Sequence, residues 1–272
     1  MMPNAISSEV PYLTTDQMIE VDRAMMEDYH IDLVRMMENA GRNLAHLARE
    51  RFLGGDPRTR RVVALAGTGG NGGGALVAAR RLHNYGAVVS VVVTKPIDEF
   101  TPVPGQQLDL LHRMGLTVGS AADVESAGEP DVILDGLIGY SLQGAPRGDA
   151  ATLIRWANEQ AAPVLSLDAP SGIDTTTGTV FEPAIQAAAT MTLALPKEGL
   201  RAPSVETHVG ELYLADISVP PDLYRRFLGI EVGPIFAESD ILRLVERQSS
   251  TNPWEGDSGS GVDHGDGPFK NA

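Results

Sequence analysis

Two carboxylates sit where a carboxylate is costly: Asp135 inside "VILDGLIG" and Asp168 in "PVLSLDAP", each embedded in an apolar run. A charge placed there is tolerated only if hydrogen bonds or an opposite charge compensate for lost water. A third feature, "ALAGTGGNGGGALVAARRL" (64–82), passes from an apolar segment through a glycine cluster, with Asn71 at its centre, into a helical pattern. Bare main chain of that kind lets backbone N–H groups and a helix N-terminus approach an anion closely. Amide, carboxylate and hydroxyl oxygens suit a hard cation better than a transition metal. The chain has no cysteine, so thiolate catalysis, disulfides and cysteine-held metals are excluded. Its histidines, at 30, 46, 83, 112, 208 and 264, are scattered without ligand spacing. Asp135, Asp168 and Asn71 thus offer an oxygen-rich set suited to a hard cation, beside a loop suited to an anion.

Gly67 to Gly72 matches G-x-G-x-x-G, after an apolar run and before a helical one, as a dinucleotide-binding turn requires. The plainer reading is a tight turn whose glycines supply positive φ angles. A dehydrogenase of this type also wants an acid about 20 positions on, at the tip of the second strand, to bind ribose hydroxyls. That strand ends Val93-Thr94-Lys95-Pro96, with no acid. Lys95 offers a cation for a 2′-phosphate, which keeps an NADP-dependent reductase in view. No Gly-Lys-Ser/Thr follows the loop, which excludes a phosphate-binding P-loop. The loop is expected to hold a phosphate or nucleotide-like group in another way.

The elements that must position these residues are readable from periodicity. Met18, Val21, Ala24 and Met25 form a helical stripe after a cap at Thr14 or Thr15. Leu33, Met36, Met37, Ala40, Leu44, Leu47 and Ala48 form a second, capped by Asp32 and closed by Gly54-Gly55. Then "RVVALAG", a helix from about Gly73 to Tyr85, and "AVVSVVVTKP" make a βαβ unit. The alternation continues through a helix at "PVPGQQLDLLHRMG", strands at "LTVG" and "DVILDGLIG", a helix at "DAATLIRWANEQ", and strands at "PVLSLDAPSG", "TMTLAL" and "GELYLADI". "PPDLYRRFLG" reads as a short helix and "ESDILRLVERQ" as a last one. This predicts one doubly wound α/β domain over 10–230, a C-terminal helix within 231–248, and a disordered tail over 249–272, where Gly, Ser and Asp dominate. In an open parallel sheet ligands bind beyond the carboxyl ends of the strands, so Asn71, Asp135 and Asp168 converge on one edge. The Pro170-Ser171-Gly172 turn stiffens the backbone beside Asp168, and Asp174 reads as a turn former.

The 272 residues carry a net charge of −15, which disfavours nucleic acid as a partner. No apolar run approaches the ~18 residues of a membrane span, and the start, "MMPNAISSEVPYL", lacks a secretory pattern. A cytoplasmic location without membrane contact is expected.

Six stretches in order over about 12–220 resemble one family, the NAD(P)H-hydrate epimerases or YjeF N-terminal-type domains. "MMENAGRNLA" resembles its L-M-E-N-A-G signature, and "GGNGGGALVAARRL" its N-N-G-G-D-G-L-V-A-A-R-x-L loop. "DVILDGLIGYSLQGAPRG" resembles D-x-I-x-D-A-L-F-G-T-G-L-x-G-x-x-R-G, and "PVLSLDAPSGIDTTTG" resembles P-V-x-A-V-D-x-P-S-G-L-D-x-x-T-G. "ATMTLALPKEGL" and "VGELYLADISVP" resemble the closing motifs. The resemblance implies a three-layer α/β/α Rossmann-like sandwich with a mostly parallel sheet, a homodimer, and epimerisation of hydrated NADH and NADPH upstream of a separate dehydratase. It also implies a potassium ion on Asn71, Asp135 and Ser171. Gly70, Asn71, Gly72, Gly73 and Gly74 would line the substrate site. So would Gly139, Tyr140, Ser141, Leu142, Gln143, Gly144 and Ala145, with Arg147 and Asp168. Asp168 would be the acid/base or electrostatic partner of the reacting ring, with Lys197 contributing. The chain departs from the family pattern at Gly70, at Gly74 in place of Asp, at Ala75 in place of Gly, and at Tyr140 in place of a small Thr. Those departures leave a catalytically degenerate nucleotide-binding domain as the rival.

Overall fold

The computed structural model describes residues 5–6 and 10–245. A nine-stranded sheet forms its centre, in the order β1-β9-β8-β7-β6-β5-β2-β3-β4. These strands are β1 (Ala5–Ile6), β2 (Arg61–Ala66), β3 (Val88–Val93), β4 (Thr117–Ser120), β5 (Val132–Gly136), β6 (Val164–Leu167), β7 (Ala189–Leu193), β8 (Glu211–Ala215) and β9 (Ile241–Leu244). All neighbours are parallel except β8 and β9. The main helices are α1 (Thr15–Glu27), α2 (Leu33–Arg51), α3 (Gly70–Asn84), α4 (Pro102–Arg113) and α5 (Gly148–Glu159).

Strand alternation divides the core. Val62, Ala64 and Ala66 of β2 join Leu134, Leu165 and Met191 against Leu44, Leu47, Leu76 and Leu108 of α2–α4. Val63 and Leu65 turn the other way, with Ile133, onto Leu153, Ile154 and Trp156 of α5. Central parallel strands are covered on both faces, which is why they read as unbroken apolar runs. The three-layer α/β/α sandwich is as expected. A third cluster joins Met18, Val21 and Met25 of α1 to Met36, Leu214, Ile217 and Tyr224, and seats α1 across the end of the sheet. The caps follow the sequence: Thr14 accepts from the Gln17 N–H while Gln17 answers the Thr14 N–H, and Asp32 caps α2.

Two expectations need correction. Among the described residues of 231–248 the expected helix does not form; Ile241–Leu244 is instead a strand antiparallel to β8. Without it β8 would present unpaired backbone groups, and Ile241 and Leu244 reach apolar clusters on opposite faces, as only a strand allows. The sheet thus runs past the expected boundary at 230. Helix α3 begins at Gly70 rather than Gly73, drawing the glycine run into its first turn. The tail expected over 249–272 lies outside the described residues. Among the described residues no helix is long and apolar enough to cross a membrane.

Glu38 fastens the layer of α2, α3 and α4. It accepts two bonds from Arg80 Nη2, at 2.6 and 2.7 Å, one from Arg81 at 3.1 Å and one from Gln107 at 3.4 Å. Burial pushes its carboxyl upward, but Arg80 and Arg81 together hold it below the usual value of 4.5. A depressed carboxylate contributes stability that is present above its unfolded value and lost as pH falls through the folded one. Glu38→Gln is expected to cost about 1–3 kcal/mol at pH 7, read as a lower Tm. The gap to wild type should close as pH falls below about 4.5.

Candidate active site

The carboxyl ends of β2, β5, β6 and β7 share one rim of the sheet. Between that rim, α1, α2 and the start of α3 lies a cavity of about 560 Å³. Its walls are mostly apolar, with Met18, Met36, Met37, Leu137, Leu167 and Ile217 among them. Among the polar side chains of this lining are Asp22, Asn71, Tyr140, Asp168 and Lys197, with Arg23, Glu27 and Ser141 also present.

The glycine loop reaches the cavity through Gly69, Gly70, Asn71 and Gly72. None of the loop glycines has a positive φ, so the plain turn reading does not explain them. They are required by close approach. A Cβ on Gly67 would lie 2.1 Å from the Leu137 carbonyl oxygen, and one on Gly72 1.9 Å from that of Gly67. Gly69 and Gly70 have nothing within 4 Å and leave the main chain open. Gly69 caps α3 without a side-chain bond, so the first-turn N–H groups have no helical partner.

Asp168 ends β6 in a left-handed backbone conformation, φ 65°, and is 4% exposed. Its Oδ1 pairs with the fully buried ammonium of Lys197. It also lies 3.4 Å from both Thr192 Oγ1 and the Leu193 N–H. Lys197 further donates to the Leu193 carbonyl at 2.9 Å and Thr192 Oγ1 at 3.3 Å. Every such bond to the carboxylate ends on Oδ1. Among the described residues Oδ2 takes no protein partner, while Asp168 lines the cavity. One oxygen is fixed and one is left for a ligand, an arrangement suited to proton transfer or to stabilising a cationic ring.

Asp22 was not anticipated. It receives the Tyr140 hydroxyl at 2.5 Å on Oδ2. Burial raises its carboxyl above the usual range, and the Asp168 charge adds to this; the Tyr140 bond and Lys197 oppose it. Burial and the Asp22 charge drive the Tyr140 phenol far upward. The Tyr140 ring also faces Lys197, whose Nζ is 5.9 Å from the centroid. The signal was present: Asp22 falls four after Met18 and three before Met25, an acid on an apolar stripe.

Asp135 does not reach the cavity. It is fully buried and accepts the Ser171 hydroxyl (2.6 Å) and Leu137 N–H (3.2 Å) on Oδ1, and the Ser166 hydroxyl (2.8 Å) and Ser171 N–H (2.9 Å) on Oδ2. Burial raises its carboxyl, with those bonds working against the rise. The Ser171 hydroxyl also lies 3.2 Å from the Ile138 carbonyl, so its single proton faces two acceptors. Asn71 stands one residue along, against Gly139, with its Nδ2 buried and unpartnered. The Asp135 carboxylate, the Ser171 hydroxyl and the Ile138 carbonyl are oxygen donors of the kind a hard cation takes. The Asn71 side chain beside them could add its amide oxygen, while its unpartnered Nδ2, a hydrogen-bond donor, could not ligate. Among the described residues no three His, Asp or Glu side chains gather to hold a metal.

The structure therefore brings Gly70, Asn71, Gly72, Gly139, Tyr140, Ser141 and Asp168 to one cavity, with Lys197. Gly73 and Gly74 do not reach it. They are buried inside α3, where a Cβ would press 2.4 Å from Met37 Sδ and 2.6 Å from Leu167 Cδ2. Leu142, Gln143, Gly144, Ala145 and Arg147 run along the surface beyond the cavity wall, because the chain turns there into α5, which Arg147 caps. Lys95 is half exposed and pairs with Glu99 at 3.7 Å, away from the cavity.

Comparison with known proteins bears on this geometry. Residues 34–199 match the model of the family described as YjeF-related protein N-terminus. The chain is 44% identical to an NAD(P)H-hydrate epimerase of Dehalogenimonas lykanthroporepellens, over 79% of this chain and 84% of that protein. It is 35% identical to a bifunctional NAD(P)H-hydrate repair enzyme of Salinibacter ruber, over 78% of this chain but only 41% of that protein. The crystal structure of the yeast protein ynu0 superposes with a TM-score of 0.72 at 24% identity, covering 86% of this chain and all of that one, and so shares the fold.

Proposed function

The chain belongs to the family of YjeF-related protein N-termini, and from that premise we propose that it is an NAD(P)H-hydrate epimerase, interconverting the R and S forms of hydrated NADH and NADPH. The observation that carries the reading is Asp168. It is a carboxylate held by a buried lysine on one oxygen and unpartnered on the other, at the wall of a largely apolar cavity. The reacting carbon bears a hydroxyl and adjoins the ring nitrogen. Inverting it requires loss of the hydroxyl or opening of the ring, and either route moves a proton and develops positive charge in the ring. A fixed carboxylate serves both needs. The apolar wall formed by Met36, Met37 and Leu137 accommodates the ring and limits competing water. The open amides of Gly70, Asn71 and Gly72 at the start of α3 hold the dinucleotide phosphates.

Asn71, Asp135 and Ser171 would hold a potassium ion. When bound, it supplies a positive charge that offsets the buried Asp135 and draws the anionic substrate toward the rim. The wider reading includes a homodimer and a separate dehydratase acting downstream; the longer bifunctional relatives carry repair activities under one name. The reductase alternative has little to rest on, since Lys95 is engaged by Glu99 outside the cavity. Tyr140 lines the cavity without filling it, which weighs against a degenerate site.

Two outcomes are expected. Asp168→Asn should lower turnover by about 10²–10⁴-fold, measured as consumption of the unwanted epimer in the presence of a purified dehydratase. Asn tolerates the left-handed backbone but leaves the buried Lys197 ammonium without its counter-charge, so a lowered Tm is expected as well and turnover is read at a temperature where the variant is still folded. Turnover at the wild-type rate would end the assignment. Potassium at about a hundredfold excess over its Kd should stabilise the protein by about 2.7 kcal/mol, seen as a raised Tm. Choline should not reproduce the shift, and Asn71→Ala should reduce it.

A further inference from the structure

Asp22 is used by nothing else in the fold. Its neighbour Arg23 is engaged by Glu20, Glu27 and Asp28, and among the described residues no ion pair of α1 includes Asp22. Its one hydrogen bond among the described residues is from Tyr140, on Oδ2, so that Oδ1 takes no protein partner, as at Asp168 Oδ2. Both carboxylates line the same cavity, one from α1 and one from the end of β6. They are near enough to Lys197 and to each other for their charges to be felt at Asp22. Inversion of a carbon presents a symmetry problem: a proton must be delivered to oxygen on one face and removed from oxygen on the other. Two separately anchored carboxylates can do this without either one reorienting.

We propose that Asp22 is a second catalytic carboxylate of this site, paired in function with Asp168 and oriented by Tyr140. The inference rests on the epimerase reading. In the step it describes, one carboxyl group gives its proton to the ring hydroxyl, and the C–O bond breaks with its electron pair leaving on water. The ring nitrogen's lone pair closes a C=N bond. Water then adds to the opposite face of that carbon, the C=N pair returns to nitrogen, and the added oxygen gives a proton to the second carboxylate. Composition and charge are unchanged, one proton has moved between the aspartates, and the reverse reaction starts from that form. Tyr140 fixes the orientation of Asp22 through its hydroxyl.

The test uses the full chain with each purified epimer, coupled to a dehydratase. Asp22→Asn is expected to lower kcat by about 10²-fold or more with KM changed less than about threefold. Its Tm at neutral pH should not fall below wild type: burial raises the Asp22 carboxyl, so its ionisation opposes folding as pH rises. Asp22→Glu should recover part of the rate. The titratable groups that bear on Asp22 are Tyr140, Lys197 and Asp168, with Tyr224 also close enough to feel its charge. Because the Tyr140 bond lowers the Asp22 carboxyl, Tyr140→Phe should move the limb of the kcat profile that Asp22 governs to higher pH. A merely structural Asp22 would leave that limb in place, which would overturn the proposal, as would wild-type kcat in Asp22→Asn. Failure of the wild-type chain itself to equilibrate the epimers would instead remove the epimerase reading.

Discussion

The structure depends on one buried ion pair, Lys197 with Asp168. An ammonium with no exposed surface is tolerable only when it is paired and its remaining protons are bonded, and both conditions hold here through Asp168, Thr192 and Leu193. The pair ties the end of β6 to the segment after β7. It also sets the entry of the chain, because Leu13 bridges to Lys197 just before α1 begins. The strained φ of Asp168 belongs to the same arrangement: the carboxylate is turned back onto Lys197 at the rim rather than continuing β6.

From that pair the site follows by proximity. Asp135 lies one strand over, at the end of β5, and two of its four hydrogen bonds, from the Ser171 N–H and hydroxyl, hold the turn that follows Asp168. The turn fixes Ile138 through Ser171 Oγ at 2.9 Å, which places Gly139 and Tyr140 at the cavity. Asn71 and the open amides approach from β2 because Gly67 and Gly72 permit contact that any side chain would prevent. One rim thus holds a carboxylate against a buried lysine, open main-chain amides and an oxygen-rich cluster.

Much of this was legible in the sequence, for physical reasons. Parallel strands buried on both faces leave apolar runs, and helices leave stripes, so the βα alternation and the convergence of Asn71, Asp135 and Asp168 could be read directly. What escaped depended on pairing between distant segments. Ile241–Leu244 reads equally as helix or strand until the open edge of β8 is known. Asp22 sits on a helical stripe, and only the packing of α1 across the rim gives it a partner in Tyr140, 118 positions away. The glycine run reads as bare main chain ahead of a helix, but which of its glycines face the cavity does not follow from the sequence. Gly73 and Gly74 are spent against Met37 and Leu167, contacts that no local pattern reveals.

The most direct measurement is a crystal structure of the Asp168→Asn variant with a hydrated nicotinamide nucleotide in potassium buffer. The account predicts the phosphates on the Gly70–Gly72 amides and the hydrated ring in the cavity. The ring-carbon hydroxyl should then lie about 2.6–3.2 Å from the side-chain atom that replaces Asp168 Oδ2. A ring bound elsewhere, with position 168 facing only solvent, would contradict it.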